Sequence, residues 1–370
     1  MVLIDMAEKG FDTKIKLFTP GPVYCAPDVL AEMAKPCDTH RSKWYYELHK
    51  DCTSKLQKVL FTKNDVLLGA FSATGFMEAC VSNTLGPDDT GLFIIVGEFG
   101  NRWKGIATSL GKKCDVLEYP GGKAAKVEDV KKKLQEKKYS TVFIQYNETS
   151  TGVRNPVEEI APVVKASGAL LCVDAVSAMC GMKIEVDKLG IDACLASVQK
   201  CFGIPPGLAV CSVTPALLEK AKTVKNRGKY LDLIEMKTFH DKFQTPTTPP
   251  IPQIRALAYK LGKILNEEGL ENRIKRHDKL AAMTRDWAKS HGFTMFSEEG
   301  HHSSTVSTVA NNKNIDVEKF VGALEKKGYR IVAGYGQFKK VSFRIGHMGD
   351  LQEADMKGLF AVMDETLKEI

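Results

Sequence analysis

The 370-residue chain predicts an α/β protein: a mostly parallel sheet flanked by helices, followed by a smaller C-terminal α+β domain. Three observations predict it. Short runs that are apolar throughout alternate with longer amphipathic segments, as buried parallel strands alternate with covering helices. A proline-rich stretch, Thr245–Pro252, interrupts that alternation and admits neither regular helix nor a central strand. Beyond it the pattern becomes one long helical segment, then strands and helices in mixed order.

The strands are expected at Leu92–Val96, Thr141–Gln145, Ala169–Val173, Ala193–Val198 and Leu208–Val213. Val127–Glu136 and Val157–Ala166 have helical spacing between them. After the prolines, a helical pattern runs from about Gln253 through Ser290. Strands follow at Thr305–Ala310 and Lys340–Ile345, and helices at Val317–Lys327 and Glu353–Lys368. We expect a large domain over residues 17–255 and a small one over 256–370. Residues 1–16 are expected to pack with the small domain or with a partner.

Composition removes several functional classes. Hydrophobic residues make up 44% and charged residues 26% of the chain, so disorder is not expected. The apolar runs are too short to span a membrane. The first sixteen residues carry Asp5, Glu8 and Asp12 without a long apolar core, unlike a signal or transit peptide, and the chain does not end in a peroxisomal tripeptide. A cytoplasmic address follows by elimination. The net charge of +7 is modest, and Lys131, Lys132 and Lys133 interleave with acids as on a solvated helix face, so no nucleic-acid partner is expected. The ten cysteines form no CxxC pair. Reduced, buried thiols are expected, and no metal site.

In an open α/β sheet, ligands sit beyond the carboxyl ends of the strands. Lys200 lies there, in Ser197-Val198-Gln199-Lys200-Cys201, just before the stiff loop Gly203-Ile204-Pro205-Pro206-Gly207. A lysine held out of water loses its proton more easily and can form a Schiff base. Asp174 ends the run Leu170–Val173. Its carboxylate suits either a cationic ring nitrogen or the N-cap of a following helix. Ser72, Ala73 and Thr74 open a helical run, where free N–H groups receive an anion or a side chain caps the helix. Phe99 follows another strand and either stacks on a flat ring or packs in the core. Thr149 lies in the hydroxyl-rich segment Asn147–Gly152, which offers hydrogen bonds to a ring oxygen or forms a turn. Arg344 sits near the end of a late strand. It either grips a carboxylate in a bidentate fork or lies on an exposed face.

Taken together, these residues resemble the class V aminotransferases of the fold-type I pyridoxal phosphate enzymes. The alanine–glyoxylate, serine–pyruvate and 2-aminoethylphosphonate–pyruvate branch is most similar. The likeness runs from Thr19-Pro20-Gly21-Pro22 to Arg344-Ile345-Gly346 and is most specific at Gln199-Lys200 followed by Pro205-Pro206-Gly207. It implies the pyridoxal phosphate-dependent transferase fold, with that cofactor in Schiff-base linkage to Lys200, and a two-half-reaction transamination. Lys200 would move the proton and Asp174 would pair with the pyridinium nitrogen. Phe99 and Val176 would flank the ring, and Thr149 would meet its hydroxyl. Ser72, Ala73, Thr74 and Gln199 would hold the phosphate, and Arg344, with Gly21 close by, would bind the substrate carboxylate. Thr248, with Thr245 as the alternative, would reach the phosphate of a partner subunit, which implies a homodimer with shared sites. Ala73 departs from the glycine of several members, and Gln145-Tyr146-Asn147 replaces a segment that often carries histidine.

The resemblance implies alanine or serine as amino donor and glyoxylate or pyruvate as acceptor. The rivals are 2-aminoethylphosphonate–pyruvate or phosphoserine transamination and, on the same scaffold, cysteine desulfurase or lyase chemistry, against which Gln199 argues. A non-catalytic protein on this fold would be expected to lack Lys200 or Asp174, and both are present.

Overall fold

The computed structural model describes residues 15–370. The expected N-terminal packing of residues 1–16 falls almost wholly outside that range. Only Lys16–Leu17 (β1) is seen, pairing in parallel with Tyr329–Arg330.

The core of the molecule is a seven-stranded sheet. Its strands are Asp65–Gly69 (β2), Thr90–Ile95 (β3), Lys113–Glu118 (β4), Thr141–Gln145 (β5), Leu170–Asp174 (β8), Ala193–Ser197 (β9) and Ala209–Val213 (β10). Two short strands, Asn147–Glu148 (β6) and Val153–Arg154 (β7), form a hairpin beyond β5. The order across the sheet is β2-β10-β9-β8-β5-β3-β4. All neighbours are parallel except β10, which runs against both β2 and β9. Every residue of β5, β9 and β10 is buried, which is why these central strands read as unbroken apolar runs.

Six strands therefore end on one edge of the sheet, and the chain leaving β2, β3, β5, β8 and β9 at that edge carries Ser72, Phe99, Thr149, Asp174 and Lys200 in turn. The connection from β9 to β10 is a tight loop. Val198 N–H donates to the Leu208 carbonyl (3.1 Å) and Ile204 N–H to the Val198 carbonyl (3.1 Å), with Gly203 and Gly207 both at positive φ. Lys200 is thus mounted on backbone that has little freedom to move.

A second sheet carries the C-terminal part: Thr294–Met295 (β11), Val306–Ala310 (β12), Val332–Ala333 (β14) and Ser342–Gly346 (β15), in the order β11-β12-β15-β14, with Tyr329–Arg330 (β13) paired to β1. Its core is separate, built from Phe18, Leu280, Trp287, Phe320, Phe343 and Met356 among others. The helix Ile251–Lys263, which straddles residue 255, instead packs Ile254, Leu257 and Leu261 into the core of the large sheet, against the helices Pro27–Ala34 and Lys43–Leu60. The long helical pattern of Gln253–Ser290 is broken in two. A π-helical turn, Ile264–Glu268, and Gly269 at φ 79° separate Ile251–Lys263 from Leu270–Ser290.

Arg273, at the start of that second long helix, ties the two parts together. It is 1% exposed. Its guanidinium donates to the Cys201 carbonyl (2.6 Å) and the Cys180 carbonyl (3.2 Å) and pairs with Glu268 (2.8 Å) and Asp350 (3.3 Å). Asp350 also pairs with the buried Lys260. Removing one member of such a buried set strands the others. Arg273→Met is expected to lower unfolding stability by about 3 kcal/mol, read from the urea midpoint at unchanged slope.

Among the described residues no helix is long and apolar enough to cross a membrane, and no cluster of three or more metal-binding side chains forms. All ten cysteines are free and most are buried, as expected of thiols used as small apolar groups.

Candidate active site

Lys200 is 9% exposed, and its Nζ donates to the Pro20 carbonyl. Burial, then the nearby positive charge of Arg344, lowers its pKa to about 8. A share of the amine is therefore neutral near physiological pH, the form a nucleophile needs. The loop Thr19–Pro22 lies directly on this side chain. Gly21 has φ 111°, and a Cβ there would strike the aliphatic stem and amine of Lys200. Glycine is required at this position on both counts.

Asp174 is 3% exposed at the end of β8. One carboxylate oxygen, Oδ1, accepts from Val176 N–H (2.8 Å), and the other has no hydrogen-bond partner among the described residues. No helix begins after Asp174. Residues 175–182 form turns, so the carboxylate caps no helix. Burial pushes its pKa up to about 7, opposed by the Val176 bond and by Lys200. A buried carboxylate with an open oxygen awaits a donor of positive character.

Ser72 is the N-cap residue of the helix Ala73–Thr84, yet its side chain makes no capping bond. The capping alternative is thus not taken up. An exposed hydroxyl and the first N–H groups of a twelve-residue helix stand ready for an anion. Gln199 is half-buried and accepts from Ser197 Oγ (2.6 Å), which leaves its amide N–H groups free to donate. Thr248 is exposed and joins none of these groups within its own chain. Thr245 beside it is buried and spends its hydroxyl on the Thr247 carbonyl (2.7 Å).

Phe99 opens the helix Glu98–Ser109 and is half-buried. The residue that fixes it, Glu148, is one that sequence reasoning missed. Glu148 is fully buried. Its Oε2 accepts from Phe99 N–H (3.1 Å) and Gly100 N–H (3.2 Å), and its Oε1 from Ser150 N–H (3.0 Å) and Oγ (2.6 Å). Gly97 precedes this helix without a side chain to cap it, so the carboxylate arrives from across the sheet edge. An acid inside a Ser/Thr-rich segment after a strand was the available signal. Thr149 Oγ1 donates to Ser177 Oγ (2.8 Å), which itself donates to the Asn147 carbonyl (3.1 Å). With its proton so used, Thr149 retains lone pairs to accept from a ring hydroxyl.

Arg344, on β15, is 6% exposed. Its Nη1 donates to the Thr149 carbonyl (3.4 Å) and its Nε to the Ala333 carbonyl (3.3 Å), and it has no carboxylate partner among the described residues. Burial lowers its pKa to about 10. Arg102, a second cation missed in the sequence, lies with its guanidinium carbon 4.6 Å from the centre of the Phe99 ring.

These groups make one chemical set: an amine that can lose its proton, a buried carboxylate, an open helix start, an aromatic ring and a buried guanidinium. The sequence profile of the aminotransferase class-V family matches residues 40–340. The chain belongs to the class-V aminotransferases. It is 40% identical over 361 residues to an uncharacterised aminotransferase of Methanocaldococcus jannaschii, covering 96% of this chain and 93% of that one. It is 31% identical to the serine–glyoxylate aminotransferase of Arabidopsis thaliana, covering 96% of this chain and 90% of that one. Its fold superimposes on the alanine–glyoxylate aminotransferase of Nostoc sp. with a TM-score of 0.91 at 25% identity, covering 95% of each chain. The enzyme is a pyridoxal phosphate-dependent aminotransferase.

The residues present fit that cofactor. The open oxygen of Asp174 suits a pyridinium N–H, and the uncapped helix start at Ser72 suits a phosphate. When bound, pyridoxal phosphate supplies an aldehyde carbon and an electron-withdrawing ring that accepts the electron pair left on the substrate's α-carbon.

Proposed function

We propose that this aminotransferase moves the amino group of a small amino acid, alanine or serine, to glyoxylate or pyruvate. The observation that carries the proposal is Arg344, a buried guanidinium beside Lys200 with no acidic partner among the described residues. Two carbonyls and the field of Glu148 hold the group without an ion pair, which leaves N–H groups open to an anion, and its fork matches an α-carboxylate. The printed activities of the Arabidopsis and Nostoc relatives point to the same substrate pair.

Each residue then has a task. Arg344 holds the carboxylate, and the Gly21 loop closes the space beside Lys200. Lys200 takes the α-proton with Nζ and returns it to the cofactor side. Asp174 keeps a ring nitrogen protonated, and Phe99 and Val176 confine the ring. Ser72, Ala73, Thr74 and Gln199 bind the phosphate, and Thr149 meets the ring hydroxyl. Thr248 serves the phosphate of a second subunit, a role supported by its exposure while Thr245 is turned inward. The same face carries exposed Tyr230 and an apolar cavity of about 160 Å³ lined by Phe71, Tyr230, Met236 and Pro249, which supports a homodimer.

The rivals fit less well. 2-Aminoethylphosphonate has no α-carboxylate for Arg344 to hold, and a phosphonate or phosphate donor would have to draw Arg102 away from the Phe99 ring and the Tyr335 hydroxyl. Desulfuration needs a reactive thiolate, and Cys201 beside Lys200 is buried with its thiol pushed up to about 12. The test is a visible spectrum of the holoenzyme titrated separately with alanine, serine, aspartate, cysteine and 2-aminoethylphosphonate. Alanine or serine is expected to bleach the long-wavelength cofactor band, and glyoxylate or pyruvate to restore it. Bleaching by 2-aminoethylphosphonate alone, or by cysteine with sulfide released, would sink the assignment.

A further inference from the structure

Tyr335 sits where three site residues meet. Its ring stacks on Phe99, with centroids 5.7 Å apart and planes 17° apart. Its hydroxyl receives a hydrogen bond from Arg102 Nη2 at 3.1 Å. The Arg344 guanidinium lies 5.3 Å from the centre of the same ring. The side chain is nevertheless 39% exposed, so it is not a core residue, and the contacts just described are all with residues at the cofactor end of the sheet.

The backbone around it is built to hold this pose. Gly334 has no room for a side chain, since a Cβ would run into the Phe338 carbonyl and Ser342 Oγ. Gly336 has φ 57°, and a Cβ there would meet Glu98, the residue before Phe99. Two glycines thus fold the segment between β14 and β15 down onto the start of the Glu98 helix. The last residue of β14, Ala333, supplies the carbonyl that holds Arg344 Nε. Arg344 is therefore oriented by two neighbours in this segment, one polar and one aromatic, and by the Thr149 carbonyl on the other side.

We propose that Tyr335 is a positioning residue for substrate recognition. Its ring sets the Arg344 guanidinium at the angle that meets a substrate carboxylate, while the Phe99 stack and the two flanking glycines hold that ring in place. This rests on Arg344 as the carboxylate-binding group, the role assigned to it above. A cation held against an aromatic face keeps its in-plane N–H groups free for a forked acceptor. Losing the ring frees the guanidinium to turn, which weakens carboxylate binding without touching the groups that move the proton.

The test uses the holoenzyme with Tyr335→Ala and Tyr335→Phe. Steady-state kinetics are measured with alanine and glyoxylate, and calorimetry reads the Kd of propionate, a carboxylate with no amino group to transfer. For Tyr335→Ala, KM for both substrates and Kd for propionate are expected to rise about tenfold, with kcat within about twofold of native. The affinity and absorption band of pyridoxal phosphate stay native, and Tyr335→Phe restores KM and Kd. A Tyr335→Ala enzyme with native KM and Kd overturns the proposal. So does one that loses kcat or cofactor affinity at unchanged KM, because Tyr335 would then be supporting Phe99. A Tyr335→Phe enzyme as impaired as Tyr335→Ala also overturns it. Native enzyme that binds propionate but leaves alanine unconsumed would refute the donor assignment, and the propionate Kd would still decide the role of Tyr335.

Discussion

Lys200→Ala should reduce turnover by at least about 10⁴-fold, since it removes both the nucleophile and the group that relays the proton. The fold should survive the change. Lys200 is a buried amine whose charged form is disfavoured there, so its loss relieves a desolvation cost while giving up one bond to the Pro20 carbonyl. A cofactor-free melting temperature close to native, together with absent turnover, separates chemistry from collapse. Lys200→Arg retains a positive charge and should be equally inactive. Borohydride reduction of the native holoenzyme, followed by peptide mapping, locates the attachment directly. Label on a peptide holding Lys200, and none on the variant, is the expected result. Label on any other lysine would remove Lys200 from the mechanism.

Lys200 and Asp174 were legible in the sequence because of where central strands put their ends. β5, β8, β9 and β10 are buried almost throughout, so each reads as an apolar run. The residue that breaks such a run is a polar group at the edge where ligands bind. Within the seven-stranded sheet, the strands that escaped notice are the two at its margins. Only partly buried, β4 alternates Lys113, Asp115 and Glu118 with small and apolar residues, which hides it. At the other edge, β2 offers just four residues after a charged start. Gly269 was the visible sign that the Gln253–Ser290 helix breaks, and it went unused because helical spacing resumes straight after it.

The unread part of the site has a common cause. Glu148, Arg102, Arg273 and Tyr335 acquire their roles largely through partners remote in the chain. Glu148 caps a helix that begins fifty residues earlier, as its bonds to Phe99 and Gly100 show. Arg273 binds carbonyls beside Lys200 and at Cys180. Tyr335 touches Phe99 from the loop between β14 and β15. No local periodicity encodes such meetings. Local traces existed for two of them: the Ser/Thr-rich segment around Glu148 and the two glycines that flank Tyr335.

Asp174→Asn separates electrostatics from shape, because the amide keeps the size of the side chain and loses its charge. A neutral amide cannot hold a ring nitrogen protonated as a carboxylate does, so kcat should fall by roughly 10²- to 10³-fold. A second consequence appears without the cofactor. In the folded protein burial raises Asp174 from 3.8 to about 7, so the folded state binds a proton there that the unfolded chain has released. Stability from this group is complete below pH 4 and is lost as pH rises through 7. Over that window the loss is on the order of 4 kcal/mol. Glu148, also raised by burial, adds to the same trend. Lys200 acts in a different window. Its lowered pKa gives stability above pH 10.5 that is lost as pH falls through 8, and below that range its penalty is constant. The difference between native protein and Asp174→Asn, measured by urea unfolding of the cofactor-free form from pH 5 to 8, therefore isolates Asp174. The variant should lose less stability across that range than native protein, and native protein loaded with pyridoxal phosphate should behave like the variant, because a pyridinium N–H then stabilises the charged carboxylate. Equal slopes for variant and native would mean that the Asp174 carboxylate is already charged by some other partner, and that its open oxygen does not await the ring.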